Sequence, residues 1–267
     1  MGYRYKLFSY LYGMKQWILV LCLLCTHPEG VIDVAKKYLG TPYAAGTLEM
    51  EDEERLVINE QGMDCTTFVE LTIAQCLAMH SDSLTFEQQV QALRYRNGVI
   101  NGYLSRLHYF TDWVAENAYR GVWHEVKPNR DFPVWQADTL TLSFMSKHSD
   151  KYAYLKAHTS AIDSMHTIEQ RYAAYPVHYI RKEHLDLPPD KLPIQNGDIL
   201  GLVTTIDGLD VTHLGFAIWQ GKRLHLMHAS IRHGKVVIDE RSLYDYLKDR
   251  KNCPGVRVVR MGRTSND

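Results

Sequence analysis

One cysteine at the start of a helical pattern and two histidines on adjoining strand patterns have the types and spacing for nucleophilic catalysis. Cys65 lies in Met63-Asp64-Cys65-Thr66-Thr67-Phe68-Val69-Glu70. Phe68, Val69, Thr72, Cys76 and Met79 continue from it as a stripe at spacings of three and four, and Asp64 or Thr67 can cap the helix this predicts. A cysteine hydrolase needs a thiolate near neutral pH. The unpaired N–H groups and aligned dipoles of a first helical turn supply one route to it, so Cys65 is the candidate nucleophile. A cysteine at such a position is by itself more often packing, so the histidines decide. The strand patterns Thr212 to Trp219 and Arg223 to Ser230 meet at Gln220-Gly221. A two-residue turn there pairs His213 directly with His228 on one face, with Cβ atoms about 5 Å apart. His213 is then the candidate general base and His228 the residue that orients it, a role usually filled by Asp or Asn.

The remaining histidines and cysteines are read as structural. His225 alternates to the face opposite His228 and His233 lies in the next turn, so both are expected at the surface. Cys76 shares the helical stripe and reads as core, and Cys253 beside Pro254 carries no signal. Cys65, His213 and His228 could instead bind zinc, but no C-x-x-C or H-x-x-x-H pair accompanies them. No metal or organic cofactor is implied.

The elements that must position these groups follow from pattern. Val31 to Leu39 has helical spacing and stops at Gly40-Thr41-Pro42, and 43 to 62 is a charged loop. Residues 84 to 120 read as helical with turns at Asn97-Gly98 and Gly102, and 121 to 190 as mixed. Beyond Asn196-Gly197, runs of Val, Ile and Leu between glycine turns predict strands at Ile199 to Thr205, Thr212 to Trp219, Arg223 to Ser230, Lys235 to Ile238 and Val256 to Arg260. Helices first and an antiparallel sheet after them make an α+β fold.

Composition narrows the rest. The chain has 267 residues with 30 Lys plus Arg against 31 Asp plus Glu, so no basic excess points to nucleic acid. Lys15 followed by the apolar run Trp17 to Cys25 reads as a secretory signal within residues 1–30, too short to span a bilayer. Translation from Met14 would shorten its unusual basic and aromatic lead, and Cys22 or Cys25 is where a lipid anchor would sit. Of five cysteines this leaves three in the mature chain, which is no disulfide framework. The expectation is an exported protein of the periplasm or cell envelope, touching membrane only through that signal or anchor, with one domain over 31–267, a helical insertion at about 81–195, and a monomeric state.

Three segments together are similar to the catalytic motifs of NlpC-type cell-wall cysteine peptidases: Asp64-Cys65-Thr66-Thr67-Phe68-Val69, Thr212-His213-Leu214-Gly215 and Leu226-Met227-His228-Ala229-Ser230. Thr41-Pro42-Tyr43 resembles the Pro-Tyr pair whose tyrosine lines the active site in that family. The likeness extends to the N-acetylmuramoyl-L-alanine amidase-like branch through Pro42-Tyr43-Ala44-Ala45-Gly46-Thr47-Leu48-Glu49, Arg94-Tyr95-Arg96-Asn97-Gly98, the run from Ser105 to Trp113, and Gly208-Leu209-Asp210. One departure stands out: Thr66-Thr67 replaces the Ser-Gly that usually follows the cysteine.

The resemblance implies a papain-like core, with the cysteine helix packed on the C-terminal sheet, and a peptidoglycan fragment, a muropeptide, as substrate. It also implies substrate contacts at Tyr43, Asp64, Arg106, His108, Tyr109 and Asp210. Arg106, His108, Tyr109 and Trp113 combine flat apolar faces with donors, as a sugar ring requires, although Tyr109 and Trp113 at i and i+4 also suit a core. The scissile bond is then the amide between muramic acid and L-alanine. A γ-D-glutamyl endopeptidase and an inactive muropeptide-binding module are the rivals.

Overall fold

The computed structural model describes residues 28–49 and 53–262. The expected signal lies outside the described residues over most of its length. Helix α1, Pro28–Lys36, ends in a turn at Gly40 and buries Val31, Ile32, Val34 and Ala35. Helix α2, Cys65–Ala78, carries the candidate nucleophile as its first residue and is buried along most of its length. Helices α3, Phe86–Arg94, and α4, Phe110–Tyr119, follow the predicted helical stretch. The breaks between them fall at Asn97, Gly98 and Gly102, which all have positive φ, where the sequence predicts turns.

Five strands match the predicted C-terminal sheet: β4 at Ile199–Val203, β5 at Val211–Gln220, β6 at Arg223–Ser230, β7 at Lys235–Ile238 and β8 at Gly255–Met261. Three more come from the segment expected to be a helical insertion: β1 at Trp123–Glu125, β2 at Trp135–Leu140 and β3 at Tyr175–Arg181. That segment also holds the short helices α5, Phe144–Lys147, and α6, Ala153–Ala157, and the longer α7, Ala161–Gln170. It is thus mixed, not helical, because it extends the sheet. β8 runs down the middle, with β4 along one edge and β3 and β1 sharing the other, and the order is β2-β3-β8-β4-β5-β6-β7. Every pairing is antiparallel.

The sheet is buried on both faces along β4, β5, β6 and β8. Leu214, Phe216 and Ile218 of β5 join α1, α2 and α4 in one core, with Phe68 of α2 edge-on to Phe216 at 5.5 Å. Ala217, Leu224, Leu226 and Val258 join a second core under helix α8, Leu243–Leu247. A third cluster, with Tyr103, Tyr109, Leu142 and Met165, packs the inserted segment. No helix among the described residues is long and apolar enough to cross a membrane.

Candidate active site

Cys65 owes its place to the cap in front of it. The Asp64 carboxylate accepts from the Thr67 N–H at 2.8 Å, and the Asp64 N–H donates to the Thr67 hydroxyl at 2.9 Å. Both residues proposed as caps therefore act together as a reciprocal capping box. This gives Thr67 a structural task. Met63 bridges to Tyr43 in parallel, fixing the chain just before the cap.

Cys65 and His213 line one cavity of about 130 Å³, together with Thr66, Leu107, His108, Tyr109, Phe110, Trp113, Asp210 and residues 209, 211, 212 and 214. A 2.6 Å hydrogen bond joins His213 Nε2 and His228 Nδ1, with the rings nearly perpendicular. The pairing differs in register from the sequence expectation. The hairpin turns at Gly221 and Lys222, one residue later, so Gln220 pairs Arg223 and Phe216 pairs Met227. His213 and His228 are diagonal neighbours, not direct ones. A register change of two leaves them on one face, which is why the contact survives. The position opposite His228 falls to Gly215, where a Cβ would come within 2.7 Å of the Met227 carbonyl and 3.0 Å of the His228 Cβ.

The electrostatics correct the expectation of a ready thiolate. Burial, and then the Asp64 carboxylate, push the Cys65 thiol up to about 11, opposed by the Leu214 amide and Thr66. Burial pushes His213 down to about 3, helped by His228 and Arg250. His228 is pushed down to about 4 by burial, partly offset by Asp239, with His233 and Arg250 adding to the fall. The resting pair is therefore a neutral thiol beside a neutral imidazole. The helix dipole is present, but a carboxylate one residue away and the loss of water outweigh it.

Asp239, absent from the sequence reading, is the additional polar group at this site. It follows β7, is 1% exposed, and places Oδ2 3.7 Å from His228 Nε2. Its signal was available: His228 pairs Val237, so Asp239 two residues on points to the same side. Arg241 clamps it, donating from the backbone N–H and Nε to Oδ1 and from the guanidinium to Oδ2. His225, expected at the surface, is 6% exposed with Nδ1 at 3.0 Å from the Asp239 carbonyl, because β6 is covered on both sides. His233 is exposed, and Cys76 and Cys253 are buried. Among the described residues no three His, Cys, Asp or Glu side chains form a group able to hold a metal ion.

The six expected substrate contacts separate. His108 lines the cavity, and its Nε2 donates to the Tyr103 carbonyl at 2.9 Å. Burial holds His108 well below its usual range, so it is neutral and presents Nδ1 as an acceptor. Tyr43 is half-buried and is not among the cavity-lining residues; burial, then Cys65 once ionised, then the Asp64 carboxylate raise its hydroxyl pKa. Its N–H is committed to Gly234, leaving the phenol.

The other four are committed within the fold. Asp64 is the helix cap. Tyr109 donates to Glu169 at 2.6 Å and accepts from Met145, so only its ring reaches the cavity. Asp210 accepts from the N–H groups of Thr111 at 2.6 Å and Val211 at 2.8 Å, capping α4 from a distant loop. Arg106, expected at the sugar end, does not line the cavity. It is buried against Glu49 at 2.7 Å and Glu54 at 3.1 Å, with its guanidinium over Tyr103. Trp113 is both cavity wall and core, 4.3 Å from Trp123.

A helix-start cysteine and one histidine of a hydrogen-bonded pair thus line the same cavity, on an α+β fold with an antiparallel sheet. The chain belongs to the AmiA-like, N-acetylmuramoyl-L-alanine amidase-like family, which it matches over residues 33–256. It is an amidase-like hydrolase. A crystal structure of an N-acetylmuramoyl-L-alanine amidase from Bacteroides uniformis is 39% identical with a TM-score of 0.81, covering 88% of this chain and 99% of that one. A putative xylanase from Bacteroides fragilis is 40% identical with a TM-score of 0.78, covering 86% and 100%. A Legionella pneumophila protein at 22% identity and a TM-score of 0.65, covering 94% and 96%, shares the fold. No curated protein sequence matches the chain.

Proposed function

We propose that this protein is a cysteine amidase of the NlpC-type, papain-like kind that cleaves the amide between the lactyl group of N-acetylmuramic acid and L-alanine. The observation that carries the proposal is the 2.6 Å bond from His213 to His228 at the cavity that Cys65 also lines. With Nε2–H donated to His228, the neutral His213 has Nδ1 free to accept a proton.

Cys65 Sγ attacks the amide carbonyl as its proton passes to His213 Nδ1. The Cys65 N–H, at the first turn of α2, is the oxyanion donor in this reading, with the Tyr43 hydroxyl as a candidate second donor. His213 gives the proton to the L-alanine nitrogen, the stem peptide leaves, and a thioester joins the lactyl carboxyl to Cys65. Water, deprotonated by His213, then cleaves the thioester, and the thiol is restored.

The preferred substrate is a soluble muropeptide ending in anhydro-muramic acid. The inserted segment supports this, since Leu107, His108, Tyr109, Phe110 and Trp113 wall the cavity on one side. His108 Nδ1 suits an N–H or O–H of the sugar. The apolar run Trp17 to Cys25 supports export to the envelope. A glycosidase reading, raised by the putative xylanase, requires two carboxylates. Of the cavity-lining residues only Asp210 has one, and it is committed to two backbone N–H groups.

Product analysis on a defined anhydro-disaccharide tetrapeptide tests the proposal. Peptide-free disaccharide with intact tetrapeptide is expected. A shortened stem still on the sugar would make the protein an endopeptidase, and binding without turnover would make it a muropeptide receptor.

A further inference from the structure

The buried Asp239 has no part in the steps above, yet it faces the far nitrogen of His228. Building on the proposed cysteine mechanism, we infer that Asp239 is a positioning residue: it holds His228 as the Nε2–H tautomer, so that His228 Nδ1 can only accept from His213. His213 in turn keeps its own Nδ1 free for the thiol proton. No covalent bond changes in this step and no charge crosses the chain: Asp239 stays ionised and His228 neutral throughout.

Three observations support this. His228 Nε2 is buried without a hydrogen-bond partner among the described residues, and the Asp239 carboxylate at 3.7 Å is the acceptor beside it. That separation is longer than a hydrogen bond, as such contacts often are before substrate closes a site. The carboxylate is aimed by Arg241 through both oxygens, and Arg241 itself stacks over Tyr246, whose ring meets His228 edge-on at 5.5 Å. The other titratable groups facing His228 supply no second anion: His213 from β5, His233 from the β6–β7 turn, and Arg250 and Tyr246 from α8 and its end. Burial keeps His228 from charging, so tautomer choice is the property left for Asp239 to set.

Arg241 makes the inference testable. In Asp239→Asn, the carbonyl oxygen would take the Oδ1 position, where two donors of Arg241 meet it against one at Oδ2, and the NH₂ would fall where Oδ2 faces His228. A donor there favours a bare His228 Nε2 and a protonated Nδ1, which reverses the hydrogen bond and blocks His213. Asp239→Ala removes the bias without reversing it. The isosteric change is therefore expected to be the worse one: a fall of roughly 10³-fold in kcat/KM on the muropeptide for Asn against roughly 10-fold for Ala, by analogy with a reversed triad tautomer. A merely structural carboxylate gives the opposite order, and equal or milder loss in Asp239→Asn would overturn the inference.

Nitrogen-15 spectra of the unmodified protein near pH 7 provide a second arm that requires neither turnover nor a folded variant. His228 is expected to show a protonated Nε2 and an unprotonated Nδ1, and the reverse assignment would refute the inference. Full activity in Cys65→Ala would instead remove the proposed mechanism while leaving the tautomer assignment intact, so the two failures are distinguishable.

Discussion

The two halves of the site spend their polar groups differently. Around α2 and the β5–β6 hairpin, Cys65, His213 and His228 keep a reactive valence directed at one another or the cavity, and their burial leaves them neutral. In the wall opposite, Arg106 and Tyr109 of the inserted segment and Asp210 of the loop before β5 turn their polar groups to partners inside the fold. Both halves contain residue types suited to a sugar or an amide. Only hydrogen-bond accounting separates the proposed catalytic groups from those that build the wall.

The largest effect should come from the first half. Cys65→Ala is expected to lower turnover of the muropeptide by about 10⁴-fold or more, and His213→Ala by a similar factor, because the two act as a unit. His228→Asn should retain part of the activity, falling by roughly 10-fold, since its carbonyl can still accept from His213. Steady-state kinetics checks all three, and equal loss in Cys65→Ala and Cys253→Ala would dissolve the contrast.

Arg106→Ala probes the second half. It leaves Glu49 and Glu54 facing each other without their cation, and a loss of about 3 kcal/mol in unfolding free energy is expected. KM on the folded fraction should change little. A raised KM at unchanged stability would return Arg106 to the sugar and erase the difference between the halves.

The pH dependence of stability sharpens the comparison further. His213 and His228 are pushed down to about 3 and about 4, against about 6.5 for a free histidine. Between those values the unfolded chain binds protons that the folded chain refuses. Their contribution is therefore whole above pH 6.5 and is lost as the pH falls toward 4, at up to about 1.4 kcal/mol per pH unit for each. Denaturant titrations at pH 7.5, 5.5 and 4.5 should show this slope, and His213→Asn should flatten it. An unchanged slope in that variant would mean that His213 charges freely in the fold.

The smallest effect concerns the thiol. With its pKa raised, Cys65 should alkylate slowly at pH 7 and faster as the pH rises toward 10. A fast, pH-independent reaction would reveal a resting ion pair instead.

The same division explains what the sequence could reveal. The cysteine helix and strands β4 to β8 were legible because apolar periodicity, a capping pair and glycine turns all agreed there. The His213–His228 contact was legible despite a misplaced turn, because the side-chain period of two tolerates a slip of two. Strands β1 to β3 were not. β2 is mostly exposed and β1 has three residues, so neither carries a strong apolar alternation. Arg106 misled because its partners Glu49 and Glu54 lie far back along the chain, in a loop without periodicity. Asp239 was missed because pairing was carried across one hairpin and not the next, although β6 and β7 were both in hand.

Acylation of Cys65 by the lactyl carboxyl of muramic acid is open to observation by intact-protein mass spectrometry of a rapidly acid-quenched reaction. The proposed thioester requires an adduct on Cys65 equal to the anhydro-disaccharide acyl group with no amino acid attached, absent in Cys65→Ala. An adduct that retains L-alanine and D-glutamate, or turnover by Cys65→Ala, would contradict it.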